Sequence, residues 1–279
     1  MIRRLIGMLV VAGALGLSLS PVARAAEAMR AAEPVQCPPD AVASGPICID
    51  AYEASVWQVP STNTALIKKI KLGTVTKSDL QNSNATQLGL TSGDLATAGC
   101  AASGNNCTNF YAASIANVTP ASLITWFQAV AVARNSGKRL PTNQEWQAAA
   151  LGSPDPGTTD DGSTECNIST AAAVISTGRR SACVSDVGAF DMVGNVAEWV
   201  ADWVIPSSGG TGSTCGTLFN GDLNCLGGST SGTFAATAGT HAVVRGGQAG
   251  NGALAGVFAV DHVSPDTATG TKTGFRAAR

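Results

Sequence analysis

Residues 187–203 read VGAFDMVGNVAEWVADW, the densest run of specific-looking residues in the chain. Gly194-Asn195 reads as a tight turn, and Glu198, Trp199, Asp202 and Trp203 follow it on a short strand. Carboxylates beside an irregular turn rich in free carbonyls suit a hard cation such as calcium. A capped turn with a buried Trp accounts for the same residues without an ion.

Upstream, the spacing of Leu123, Trp126, Phe127, Val130 and Ala131 predicts a helix that starts at Pro120 and Ser122 and stops at Gly137. Thr142 followed by Glu145 is a capping-box arrangement that opens a second helix, with Trp146, Ala149 and Ala150 inward and Gly152 at its end. Residues 155–185 and 207–240 read as irregular loops. Alternation over residues 46–54 predicts a half-buried strand that ends at an inward Trp57. Residues 61–118, rich in Ser, Thr, Asn and Gly, read as an irregular insertion with weak helical hints at residues 77–80 and 112–116. Downstream, residues 243–279 open on Arg245-Gly246-Gly247 and close on Gly274-Phe275-Arg276, with small, mostly uncharged residues between.

Composition sets the class. Charged residues are 13%, Gly numbers 32 and the formal net charge is −2, so the surface is polar but weakly charged. Nothing in that balance points to a nucleic-acid partner. Residues 1–25 read as a cleaved Sec signal: Arg3 and Arg4, an apolar run to Leu19, then Ala23-Arg24-Ala25. An uncleaved anchor is the other reading of that segment. No later apolar run suits a membrane span, so the expected address is periplasmic or extracellular. Residues 26–44 read as a mature N-terminal tail and 45–279 as the folded domain.

Eight Cys follow the signal. An even count in an exported chain implies disulfides, and sequential pairing gives Cys37–Cys48, Cys100–Cys107, Cys166–Cys183 and Cys215–Cys225. Each short loop closed this way contributes about 2–4 kcal/mol. Zinc requires closer Cys spacing than any pair here has.

Five separated blocks then line up: the strand near residues 47–53, Gly137-Lys138-Arg139-Leu140-Pro141-Thr142 with Glu145-Trp146, the 191–199 block, Arg245-Gly246-Gly247 and Gly274-Phe275-Arg276. Together they resemble the formylglycine-generating enzyme (sulfatase-modifying factor) domain. The resemblance implies an α+β fold of the C-type lectin-like kind, with a small twisted antiparallel sheet, two helices and long loops. It also implies a calcium site at Val193, Gly194, Val196 and Glu198, and a second beginning at Asn167-Ile168 that lacks an evident acidic partner. That enzyme uses two Cys shortly after its Arg-Gly-Gly as copper ligands. Here residues 248–256 contain none, and no Cys follows Cys225. A thiolate is what binds soft copper(I) and does the chemistry, so neither copper nor formylglycine generation is expected.

The C-terminal segment further resembles the variable proteins of diversity-generating retroelements, whose codons a reverse-transcriptase system rewrites. That likeness implies a display surface over residues 249–271 for a macromolecular or glycan ligand. Its candidate contacts are Asn251, Leu254, Phe258, Val260, Asp261, His262, Ser264 and Asp266. Phe258 also reads as core, and His262 as a plain surface His. Arg245 and Arg276 read as frame, held by carbonyls or by buried carboxylates such as Asp191, Glu198 or Asp202. A protein-cysteine oxidase and a structural envelope protein are the competing functions.

Overall fold

The computed structural model describes residues 35–204, 216–218, 222–224, 240–266 and 272–279. The expected signal segment, the start of the expected tail and the expected Cys215–Cys225 pairing lie outside them. Strand β1 (Ala41–Ser44) and β2 (Ile47–Asp50) form an antiparallel hairpin over Gly45, whose φ is +58°. The tail expected through Ser44 is therefore shorter, because β1 is already part of the fold.

The strand expected over residues 46–54 is two strands. After β2 the chain bends and resumes as β3 (Ala54–Gln58), in which Trp57 is buried. Alternation misled because the polar positions do not face water. Asp50 and Glu53 are 1% and 0% exposed, and each carboxylate holds a partner from a distant segment.

Residues 61–118 are not an irregular insertion. They carry helices α1 (Thr64–Lys71), α2 (Lys77–Gln81) and α3 (Asp94–Thr97), and strands β4 (Thr86–Leu88) and β5 (Phe110–Ser114). Both strands pair antiparallel with β3. The hint at residues 77–80 is helix α2; the hint at 112–116 is instead strand β5. Leu66 and Ile70, one helical turn apart, bury the inner face of α1, while its outer face carries Lys68, Lys69 and Lys71. Polar composition hid this amphipathic pattern.

The two expected helices are α4 (Trp126–Asn135) and α5 (Asn143–Ala149). Helix α4 starts later than Pro120 suggests, because Thr125 and Gln128 form its capping box. Thr142 and Glu145 cap α5 in the same way. Strands β6 (Ala197–Val204), β7 (Gly216–Leu218), β8 (Asp222–Asn224), β9 (His241–Arg245), β10 (Val260–Val263) and β11 (Thr273–Phe275) form a sheet ordered β11-β6-β9-β10-β8-β7. Its centre, β6-β9-β10, is antiparallel, whereas β11 joins β6 and β8 joins β10 in parallel.

Alternate residues of this sheet serve opposite faces. Trp199, Ala242, Val244 and Phe275 pack on Ala129, Val132 and Ala133 of α4. Val200, Val243 and Val260 pack on Trp146 and Ala149 of α5. The result is an α+β, C-type lectin-like architecture. Disulfides Cys37–Cys48, Cys100–Cys107 and Cys166–Cys183 are formed, and the last staples an irregular 155–185 segment.

Candidate functional site

The C-terminal segment is held at one end by Arg276. Its side chain is fully buried, and its guanidinium donates to both Glu198 oxygens and to the carbonyls of Asp50 and Phe190. Trp146 Nε1 adds a 2.6 Å bond to Glu198 Oε2. Beyond it, Ala277 N–H donates to Asp50, and Arg279 donates to Asp40. Lys138 sits between Asp40 and Asp50, 2.5 Å from each. At the other end Arg245 lies over the Trp146 ring, 4.7 Å from its centre, and donates to Gln147 Oε1 and the Val257 carbonyl. Of the expected partners, Glu198 takes Arg276. Asp202 instead accepts from Asn143 N–H, and Asp191 from Gly178 N–H.

The 194–195 turn is tight, with φ of +74° at Gly194 and +54° at Asn195. A Cβ on Gly194 would lie 2.4 Å from the Asn167 carbonyl oxygen, so only glycine fits. Glu53 secures the turn by accepting from Asn195 Nδ2 and Val196 N–H. The turn and the neighbouring Ile168 anchor the 247–254 loop, since Ala249 N–H donates to the Asn195 carbonyl, and Gly250 and Gly252 N–H to that of Ile168. Burial, reinforced by Asp191 and Glu198, holds the Glu53 carboxyl well above the usual range. Burial likewise raises Asp191 to about 6.

The Glu198 carboxylate is committed elsewhere and is not available to a calcium ion. Calcium takes six to eight oxygens, yet both Glu198 oxygens are engaged by a guanidinium and an indole N–H. At Asn167-Ile168 the Ile168 carbonyl already accepts two N–H groups, and Asn167 Oδ1 is a single buried oxygen without a partner. The capped-turn reading is the one this geometry supports.

Behind the turn, loop 247–254, β9, β10 and β11 enclose a cavity of 130 Å³. Val244, Leu254 and Val263 give it apolar walls, and Gln248, Asn251, Asp261 and Thr273 give it polar ones. Asn251 Oδ1 accepts from Gln248 N–H at 2.8 Å, and Gln248 Oε1 accepts from Lys272 N–H at 2.9 Å. Asp261 Oδ1 takes the His262 N–H at 2.7 Å, and burial raises its carboxyl above the usual range.

The structure thus brings Asn251, Leu254, Val260 and Asp261 together and separates the other four. Phe258 is 40% exposed, which overturns its core reading, but it lines a different depression beside α5. His262 is not a surface His. It is 3% exposed because its register opposite Val243 turns it to the α5 face, where its Nδ1 meets His241 Nδ1 at 2.9 Å. Ser264 donates to Asp266 beyond the end of β10, away from the cavity. Sequence reasoning missed Gln248 and Thr273. Gln248 directly follows the Arg-Gly-Gly bookend and Thr273 directly precedes Gly-Phe-Arg, so adjacency to the bookends was the available signal. Residues 267–271 of the expected display segment lie outside the described residues.

The family described as sulfatase-modifying factor enzyme 1-like domain matches residues 7–279. A formylglycine-generating enzyme of Thermomonospora curvata is 35% identical over 101 residues, 30% of this chain and 33% of that protein. The match therefore spans about a third of that relative's length. Among solved structures, the chain is similar to the major tropism determinant M1 variant, with 16% identity, a TM-score of 0.41, and coverage of 88% of this chain and 54% of that one. It is similar also to Treponema denticola variable protein 1, with 26% identity, a TM-score of 0.32, and coverage of 50% and 47%. Likenesses at those scores carry no functional argument. With its five motif blocks assembled around one sheet, this chain belongs to the sulfatase-modifying factor enzyme 1-like domain family.

Proposed function

We propose that the chain is an exported, non-catalytic binding protein whose 248–261 surface holds a macromolecular or glycan ligand. The observation that carries this reading is the cavity: four polar side chains converge on a small, partly apolar hollow whose loop is pinned to a buried frame. Hydroxyl-rich groups suit it, since Gln248 and Asn251 offer amides, Thr273 a hydroxyl and Asp261 an acceptor. Export rests on the signal-like residues 1–25 and on three disulfides among the described residues. No helix among the described residues is long and apolar enough to cross a membrane. Screening the full chain against immobilised glycans and peptides tests the reading. Saturable capture by a structurally related subset is expected, and capture of none contradicts it.

The identity to a formylglycine-generating enzyme favours a second reading, oxidation of a protein cysteine. The chain's lack of any Cys after Cys225 weighs against it. Copper-dependent turnover of a cysteine-containing sulfatase peptide would establish it.

A further inference from the structure

On the opposite side of β10 from the cavity, α5 and the segment around Phe258 border a broader depression of 640 Å³. Asn143, Gln144, Gln147, Leu151, Phe258 and Arg245 line it, and no acidic side chain does among the described residues. Leu151 and Phe258 are 67% and 40% exposed, so its rim is apolar and open. Arg245 is different in kind, with only 3% of its surface exposed.

Of the three buried arginines among the described residues, Arg180 and Arg276 have carboxylate partners and Arg245 has none. Arg276 has the Glu198 carboxylate in direct contact. Arg245 makes no ion pair among the described residues, and its Nε has no hydrogen-bond partner. It has one carbonyl, one side-chain amide oxygen and the Trp146 face. Asp222 acts on it only through space, while accepting from Phe258 N–H. Asn143 Oδ1, at the same depression, is a second buried polar atom without a partner. A buried guanidinium without a contacting carboxylate is costly, and a bound anion offsets that cost through strong charge-assisted bonds.

We propose that this depression binds a carboxylate carried on an apolar body, with the carboxylate against Arg245 and the body between Leu151 and Phe258. Charge complementarity selects the head group, because the described lining offers one cation, three amide side chains and no acid in contact with Arg245. The exposed leucine and phenylalanine select an aromatic or branched aliphatic body over a short acid such as acetate. Two sources share this chemistry: a free apolar acid and the C-terminal residue of a peptide. The site is distinct from the cavity, since of its lining only Val260 also borders the cavity.

The test is calorimetric titration of the full chain with N-acetyl-phenylalanine, N-acetyl-phenylalaninamide, and a pentapeptide ending in Phe as free acid or amide. Saturable binding of the acids is expected, with the amides about tenfold or more weaker. Leu151→Ala with Phe258→Ala alters only exposed side chains; it should weaken acid binding by about tenfold and leave the melting temperature nearly unchanged. Arg245→Met should abolish acid binding if it folds. Tighter binding of the peptide acid than of the free acid assigns the site to peptide termini, and equal binding assigns it to free acids. Equal binding of acid and amide, no saturable binding, or unaltered binding by the Leu151/Phe258 variant would overturn the proposal. Asn251→Ala with Leu254→Ala should leave acid binding intact, which separates failure of this site from failure of the cavity reading.

Discussion

Three buried carboxylates, Glu53, Asp191 and Glu198, surround one guanidinium, that of Arg276. Arg180 also acts on Asp191, but burial outweighs both guanidinium groups and favours the protonated form of Glu53 and Asp191. Asp191 titrates near 6 in the fold against an ordinary 3.8, so the folded state binds the extra proton between those values. Stability contributed by that proton is full below about pH 4 and is lost as pH rises through 6. Asp191→Asn keeps an acceptor for the Gly178 N–H and tolerates the +58° φ of this position. It should raise the melting temperature at pH 7.5 by several degrees and change it little at pH 4. Melts at the two pH values check this; a variant destabilised at pH 7.5 would show that the ionised form is the one the fold needs. None of this was legible from the carboxylates in sequence, because alternation marked Glu53 as a solvent-facing strand residue.

Among elements, the 194–195 turn has the most consequence, because it joins the frame to the 247–254 loop. Gly194→Ala forces a Cβ against the Asn167 carbonyl in a left-handed backbone, so it should cost about 2 kcal/mol or more. Chemical denaturation measures this, and a cost below about 0.5 kcal/mol would show that the turn relaxes freely. Elements signalled by a local chemical rule were legible: the Thr142 capping box, the Gly194-Asn195 turn and the 197–204 strand. Those specified by tertiary contact were not. Strand β5 is recognised by its pairing with β3, and α1 by the burial of two residues in an otherwise polar run. His262 was misplaced for a similar reason, since strand register alone decides which face it joins.

At the scale of the molecule, the C-terminus is woven into the N-terminal hairpin. Cys48 and Arg279 exchange backbone hydrogen bonds, and Asp40 holds both Lys138 and Arg279. The last four residues therefore close the frame, and the cavity lies along the segment between the two arginines. Family motifs made the scaffold legible, because they are frame residues: Lys138, Trp146, Gly194, Glu198 and Arg276 each touch another motif block or the chain ends. The cavity was only half legible, because its polar walls come from residues next to the motifs. The measurement that tests this division most directly pairs melting temperature with ligand capture for the Asn251→Ala/Leu254→Ala variant, on the array used for the natural chain. A melting temperature within about 2 °C of the natural chain, with capture lost, is the expected result. Retained capture at an unchanged melting temperature would contradict the account.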